Sequence, residues 1–278
     1  MAQGLWVVLL LFWVSQLAYG VQALSVGFSH LQGTEQTFDG IDGLNVTQIE
    51  TQLNFPLAMQ PSPAGVWVQG LQFTEHRLAL TGVLDAVRRF YRLSLPLEYH
   101  PRVVGRWQYE WGFEPAYNSD ETLIQQKRFL FEYSAIARYR VNKKVNWVVG
   151  FNKDSRFGDE QHYPVFGLET RPNKRWHHHW VFPDIYSELK IKRNNFAQVF
   201  MRPSGGKWRY LQEDGSVASF SITDWNVGVS LRKKTASPLF LRLEVGTRLM
   251  GTASVAGQKG DLDNAFYLLV SLETQFGQ

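Results

Sequence analysis

Strict alternation of apolar and polar side chains runs through much of the chain. In the segment RVVGRWQYEWGFE, Trp107, Trp111 and Phe113 fall on one side of an extended backbone, and Arg106 and Glu110 fall on the other. The same alternation recurs in FLFEYSAIARYR, SITDWNVGVSLR, PLFLRLEVGTRL and NAFYLLVSLETQFG. A period of two residues is typical of a β-strand with one apolar face. The sequence therefore predicts an all-β protein.

The length and charge of these segments separate two possible architectures. A soluble sandwich buries the apolar faces of its strands, whereas a membrane barrel turns them toward lipid and its polar faces toward the lumen. The alternating segments run for about 10–13 residues, longer than the usual 5 or 6 but sufficient for a tilted bilayer crossing. Their apolar faces carry no charge, as expected because Lys or Arg at the bilayer midplane costs roughly 2–4 kcal/mol. The pattern favours a closed antiparallel transmembrane β-barrel.

Fourteen segments have this strand pattern, an even number that places both chain ends on one side of the membrane. The predicted strands are 24–30, 44–56, 66–75, 88–99, 102–113, 124–140, 145–152, 164–170, 175–182, 185–192, 196–202, 222–232, 239–249 and 263–276. Twelve strands remain an alternative, because the count depends on how residues 164–202 are divided. The longer connections, which outer-membrane barrels place outside the cell, are predicted at 31–43, 76–87, 114–123, 153–163, 203–221 and 250–262.

The N-terminus has the features of an export signal. Residues 5–14 are an apolar run, and the small residues Gly20 and Ala23 suit cleavage after either position. The run is shorter than the roughly 20 residues of a membrane-spanning helix, which favours a signal peptide. One feature departs from the usual signal peptide: no Lys or Arg precedes the apolar run. We expect residues 1–23 to be a signal peptide and residues 24–278 to form an outer-membrane β-barrel; an uncleaved membrane helix is the alternative.

Composition excludes several kinds of chemistry. The 278 residues include no Cys, so disulfides, thiolate metal sites and a cysteine nucleophile are excluded. The net charge is only +4 and no dense basic run occurs, so a nucleic-acid partner is not expected. We expect no cofactor and no metal. The expected partners are outer-membrane lipid and small solutes, and the oligomeric state is open.

Three stretches carry a resemblance to a known family. RLSLPLEYHPRVVGRWQYEWGFEPAYNSD, FGDEQHYPVFGLETRPNKRW and WVFPDIYSELKIK share their strand rhythm, a Glu-Pro that ends a strand before a Ser-Asp loop, and a Pro-containing centre. The chain from about residue 45 to 276 thereby resembles a family of uncharacterised outer-membrane barrels of Gram-negative bacteria. The resemblance implies the fold and the location, and no catalytic residues.

The alternation also assigns side chains to the two faces of the wall. The predicted lumen-lining residues are Arg102, Arg106, Glu110, Glu132, Arg138, Asp224, Arg242, Glu244 and Arg248. The aromatic residues predicted at the membrane interfaces, where amphipathic rings are favoured, are Trp107, Trp111, Trp147, Trp176, Trp180 and Trp225. Arg and Glu could pair across neighbouring strands and close the interior, or line an open pore.

Three consecutive histidines, His177, His178 and His179, form the most conspicuous candidate site. On a strand His177 and His179 share one face, about 7 Å apart at a rise of roughly 3.3 Å per residue. Two imidazoles leave a zinc site short of ligands, unless His162 or Glu169 completes it. A polar strand at the rim of the barrel is the alternative, because imidazoles are also comfortable at a membrane interface.

The predicted function is that of a passive outer-membrane channel for small polar or anionic solutes, since the charge of a pore lining sets its selectivity. Two alternatives remain. A lipid hydrolase embedded in the barrel would need a Ser or Thr beside a His base, and no spacing within one strand supplies such a pair. A structural or adhesive barrel would not conduct and would place its function in the loops.

Overall fold

The computed structural model describes residues 27–82, 86–120, 128–211, 217–236, 239–255 and 257–274. The predicted signal peptide, residues 1–23, lies outside them. No helix in these ranges is long and apolar enough to cross a membrane. The described residues form strands β1 (Gly27–Gly33), β2 (Gln36–Phe38), β3 (Leu44–Ser62), β4 (Gly65–Gly82), β5 (Ala86–Ser94), β6 (Leu97–Pro101), β7 (Trp107–Asp120), β8 (Arg128–Asn142), β9 (Val145–Asp154), β10 (Gln161–Thr170), β11 (Trp176–Phe182), β12 (Ile185–Lys192), β13 (Asn195–Leu211), β14 (Val217–Ala236), β15 (Leu239–Val255), β16 (Gln258–Leu262) and β17 (Ala265–Thr274).

The strands form one closed antiparallel barrel. The sheet closes because β1 pairs with β3 on one side and with β17 on the other. At three positions in the wall, two short strands follow each other in place of one long strand, namely β1 with β2, β5 with β6, and β16 with β17. The wall therefore has fourteen strand positions, and the predicted closed antiparallel barrel is confirmed at the larger of the two counts.

Most of the predicted long connections are in fact continuations of strands. Residues 203–221 belong largely to β13 and β14, which pair from Asn195↔Lys233 as far as Leu211↔Val217. Residues 250–262 belong largely to β15 and β16. The start of one predicted strand was also wrong: residues 102–106 form the connection between β6 and β7, in which Val104 bridges to Trp107.

The apolar side of a strand changes from the outside of the barrel to the inside along its length. On β3, Phe55 and Leu57 point outward and are 41% and 51% exposed, whereas Leu44 and Val46 are fully buried. On β14, Leu231 is exposed and Phe220 is buried. We call the part of the barrel with outward apolar side chains the belt. The part beyond it is the extension, formed by residues 36–48, 76–82, 86–90, 205–211, 217–222, 250–255 and 257–262.

The extension encloses an apolar core. Its buried side chains come from strands on opposite sides of the barrel and pack against one another as Phe38, Leu44, Val46, Leu78, Leu80, Phe90, Trp208, Phe220, Ile222, Ala253, Val255 and Leu262. The Trp208 ring lies 5.5 Å from that of Phe90 and 5.9 Å from that of Phe220. This end of the barrel is closed by packing, as a sandwich is.

Candidate functional site: the barrel lumen

Arginines on the inner face of the belt bridge carboxylates from neighbouring strands. Arg138 lies between Glu110 and Glu169, at 2.6 and 3.1 Å. Arg92 lies between two further carboxylates, with 2.8 Å to Glu114 and 2.8 Å to Glu132. The inward faces of these strands supply both signs of charge at alternate positions, so the lumen of the belt is polar and largely self-neutralised.

Glu244 is the most buried charge of the lumen. Its side chain is inaccessible to solvent, and its carboxylate accepts hydrogen bonds from Arg202 at 2.5 Å, from Arg242 at 2.6 Å and from the hydroxyl of Tyr267 at 2.9 Å. Two guanidinium groups and a phenol satisfy one carboxylate, which is the compensation that a buried charge requires. This cluster fixes the spacing of β13, β15 and β17.

A second buried pair marks the boundary between the belt and the extension. Asp224 and Arg248 are 1% and 2% exposed, and the Nε atom of Arg248 lies 3.8 Å from a carboxylate oxygen of Asp224. The side chains of Gln48 and Ser204 also lie close to the Asp224 carboxylate. The attraction between Asp224 and Arg248 therefore acts over a longer distance than in the other ion pairs of the lumen.

The predicted lumen residues fall into three groups. Those that face the polar lumen of the belt are Glu110, Glu132, Arg138, Arg242 and Glu244. Asp224 and Arg248 are sealed at the boundary. Arg102 and Arg106 lie in the connection between β6 and β7, where Arg102 lines the mouth of the lumen and Arg106 is exposed to solvent.

The mouth at the end with the chain termini is a wide cationic cavity of about 1000 Å³, which we call the vestibule. Glu110, Arg138 and Glu169 line it, and Arg138 pairs with both carboxylates. Five further cationic side chains at its rim have no carboxylate partner in the described part of the chain, namely Arg102, Arg140, Lys143, Lys144 and Arg171. The vestibule thus carries a net positive charge that the deeper lumen does not.

Two smaller polar cavities continue the space inward. One, of about 470 Å³, shares Glu110 with the vestibule and reaches Arg92 and Glu132. The other, of about 510 Å³, extends to Arg242 and Glu273. Both are lined by Glu50, Gln52, Arg156, Pro203 and Ser204, so they meet at this point. Polar cavities therefore lie along the lumen from the vestibule to the base of the extension.

The histidine triplet splits between the two faces of the wall, as the alternation predicted. His179 lies inside, with Nδ1 3.1 Å from Glu169 and its ring stacked on Tyr186 at 4.9 Å. His162, considered above as a further ligand, is hydrogen-bonded to the hydroxyl of Tyr133 at the outer rim. Among the described residues, no three His, Asp or Glu side chains come together in a group that could hold a metal ion.

The outward histidine forms a pair that sequence reasoning missed. Nδ1 of His178 lies 2.9 Å from the hydroxyl of Ser187 on the neighbouring strand, and the indole nitrogen of Trp180 donates to the same hydroxyl at 3.1 Å. The two residues are brought together by the pairing of β11 with β12, in which His178 lies opposite Ser187. Residue spacing within one strand does not reveal such a pairing. In the part of the chain that the structure describes, no carboxylate or amide orients the His178 ring, so the pair lacks the third member of a hydrolytic triad.

Five of the six predicted interfacial tryptophans lie on the outer surface and are 37–54% exposed: Trp107, Trp111, Trp147, Trp176 and Trp180. Trp225 differs. Its ring packs against Phe157 and Phe182 at 6.0 and 6.4 Å, so it is partly buried in the wall.

The fold and surface define a transmembrane β-barrel with a polar lumen, and the fold implied by the family resemblance is confirmed. No family model matches the chain, and no curated protein matches it. Among solved structures, the chain is similar to an outer membrane channel from Pseudomonas putida F1, with 13% identity, 93% of this chain and 97% of that chain covered, and a TM-score of 0.49. It is also similar to the Pseudomonas putida toluene transporter TodX (9% identity, 90% and 89% covered, TM-score 0.47) and to the NanC porin (10%, 88% and 98%, TM-score 0.38).

Proposed function

We propose that this protein is a passive channel of the bacterial outer membrane for small anionic solutes. The proposal rests on the net positive charge of the vestibule. Five of its cationic side chains have no carboxylate partner among the described residues. Outer-membrane barrels keep their chain termini and short turns on the periplasmic side, so the vestibule is expected to face the periplasm. The extension is then expected to face the cell exterior.

The charge pattern supports anions over other solutes. Arg92 in the deeper lumen and Arg138 in the wall of the vestibule are each held by two carboxylates, so these residues add little net field. The five other cationic side chains of the vestibule have no carboxylate partner among the described residues, and a cleft with an excess of one sign of charge concentrates counter-ions. The expected solutes are small and singly or multiply anionic, since the inner cavities are only about half the volume of the vestibule.

The test is the ion selectivity of the refolded protein in a planar bilayer under a KCl gradient. The wild type should conduct with a preference for chloride, and the variant Arg140→Gln/Lys143→Gln/Lys144→Gln should lose most of that preference. A control variant, Lys174→Gln/Arg175→Gln, removes charge from exposed residues at the same end that do not line the vestibule. Its selectivity should stay within error of the wild type.

Two outcomes would overturn the proposal. Absence of any current, at any voltage and in any variant, would favour the structural or adhesive barrel. An unchanged chloride preference in the triple variant would remove the role of the vestibule. The hydrolase alternative is tested separately, by release of fatty acid from labelled phospholipid; the incomplete Ser187–His178 pair gives it little support.

A further inference from the structure

A straight route through the barrel is blocked by the extension. The apolar core joins side chains from both sides of the barrel, and the Trp208 ring stacks on Phe90 and lies 4.8 Å from the ring of His76. An anion that moved along the axis would have to separate twelve packed side chains and cross an apolar region without any ligand. If the channel conducts, its route must leave the lumen below this core.

The wall has a gap at that level. The pairing of β10 with β11 stops at Phe166↔Phe182, and the pairing of β12 with β13 stops at Ile185↔Met201. Beyond these points, residues 161–165 pair only with β9, and residues 202–211 pair only with β14, within the described chain. The short hairpin of β11 and β12 thus leaves two strand edges unpaired above its turn.

The loop of residues 155–160, between β9 and β10, fills this gap, and Phe157 is its central contact. The Phe157 ring lies 5.0 Å from Tyr163, 6.3 Å from Phe182 and 6.0 Å from Trp225, so it joins both sides of the gap. Gly158 has a φ of +78°, and its backbone abuts Thr223 so closely that a β-carbon would not fit. One aromatic ring and one glycine therefore make the apolar part of the seal.

Ion pairs make the rest of the seal. Arg156 contacts Asp184, at the turn of the short hairpin, at 2.8 Å and Asp154 at 2.9 Å. On the far edge of the gap, Lys207 of β13 pairs with Asp159 at 2.9 Å. Burial disfavours the charged Arg156, but the Asp184 and Asp154 carboxylates outweigh it and raise the pKa of the guanidinium above its ordinary value. Salt weakens these pairs where they meet solvent.

The space behind the loop is the lumen. Arg156 lines both inner cavities at the point where they meet. A displacement of the loop would therefore open the polar lumen directly to the side of the barrel. The opening would lie at the upper rim of the belt, where the charged pair Lys153–Glu160 replaces the exposed aromatic side chains on the outer surface.

We infer that the loop 155–160 is a gate and that the gap beneath it, between β10 and β13, is the portal through which solutes pass between the lumen and the exterior. This inference rests on the proposed function and adds the route to it. The apolar core of the extension is a fixed closure. The loop is the movable one, since it is held by side-chain contacts, the Ser155 hydroxyl to Glu132 among them, and by the packing of Phe157 and Gly158 rather than by a backbone ladder.

The test locks the gate. The chain has no Cys, so the pair Asp159→Cys/Lys207→Cys provides two unique thiols in place of one ion pair across the gap. A short bismaleimide should link them, as verified by the mass of the product, and should reduce single-channel conductance at least tenfold. The matched controls are the same double variant treated with N-ethylmaleimide, which modifies both thiols without linking them, and each single variant treated with the bismaleimide. All three should conduct.

A second variant opens the gate. Phe157→Ala/Asp184→Asn removes the central ring and one ionic contact, and should raise the open probability severalfold; the same effect should appear as faster swelling of proteoliposomes in an anionic solute. Full conductance in the linked protein, with the vestibule variants still altering selectivity, would refute the portal and leave the proposed function standing. No current from the wild type and none from Phe157→Ala/Asp184→Asn would refute both.

Discussion

The two ends of this barrel are built from the same strands but have opposite interiors. In the belt, Leu241, Leu243 and Val245 of β15 point outward, and Arg242 and Glu244 between them point into the lumen. In the extension, Ala253 and Val255 of that strand are buried inside, and Thr252 is exposed outside. One strand therefore behaves as a membrane strand in its first half and as a sandwich strand in its second.

The difference shows that the medium outside the wall decides what the interior can be. Where lipid surrounds the wall, outward apolar side chains have a favourable environment, and the interior is free to be polar and partly empty. Where water surrounds it, apolar side chains are stabilised only by burial, so the interior must be apolar and filled. The gap between β10 and β13 lies where the polar interior of the belt meets the apolar interior of the extension.

The largest effect that separates the two ends is expected for a tryptophan of the core. Trp208→Ala should destabilise the protein by about 3–5 kcal/mol, because truncation of a buried aromatic side chain leaves a cavity that the surrounding residues cannot fill. The matched control is Trp147→Ala, whose ring is 54% exposed on the belt and is replaced by lipid on truncation. Urea unfolding of the protein in phospholipid vesicles measures both; equal losses would show that the extension has no packed interior.

The second effect concerns the polar interior of the belt. Glu244→Gln should destabilise the protein by about 3 kcal/mol, the lower end of the range for loss of one partner from a buried ion pair, because Arg202 and Arg242 keep partial access to water. The control is Glu98→Gln, whose carboxylate is 48% exposed beside His100. A loss for Glu244→Gln as small as that for Glu98→Gln would mean that the lumen is more hydrated than its geometry indicates.

The belt could be predicted from the sequence, and the extension could not. A strand that crosses lipid keeps one phase of alternation, as residues 239–249 do, so the barrel and its fourteen positions followed from period two. In the extension the phase changes. On β14 the apolar residues Phe220 and Ile222 occupy even-numbered positions, whereas Val229 and Leu231 occupy odd-numbered ones. A prediction that assumes one constant alternation therefore ends the strand where the alternation changes. On β15 an irregularity of register at Met250, which has a φ of +53°, produces the same inversion of faces.

Only those features of the candidate site that depend on a single strand could be predicted. Alternation correctly predicts Glu110 and Arg138 on the inner face. The same alternation, applied to residues 102–106 as if they formed a strand, also predicts Arg106 on the inner face, but these residues form the connection between β6 and β7. The ion pairs of the lumen depend on register between strands, which no single strand encodes. The seal depends on loop 155–160 and on the turn between β11 and β12, because these bring Arg156 to Asp184, 28 positions away in the sequence.

The third prediction introduces the same charge on both halves of one strand. Leu243→Arg places a cation on the lipid-facing surface of β15 and should cost about 2–4 kcal/mol, as cations near the bilayer midplane do. Thr252→Arg, on the same strand and also outward, should change stability by less than about 0.5 kcal/mol, as surface substitutions do. Unfolding in vesicles compares the two. A similar cost at both positions would place residue 252 inside the bilayer and remove the boundary between the belt and the extension.

The smallest effect compares two aromatic pairs, one from each half. Trp67 and Tyr99 stack on the outer face of the belt with their centroids 4.5 Å apart, and Phe90 and Trp208 stack inside the extension at 5.5 Å. A double-mutant cycle on Trp67 and Tyr99 should give a coupling of about 0.5–1.5 kcal/mol, the value of a ring pair beyond its area burial. Lipid replaces the lost contacts of an outer ring, but nothing replaces those of an inner ring, so the coupling of Phe90 with Trp208 should be larger. Equal couplings would show that the outer face of the belt packs as tightly as the core, and that lipid is not what sets the two halves apart.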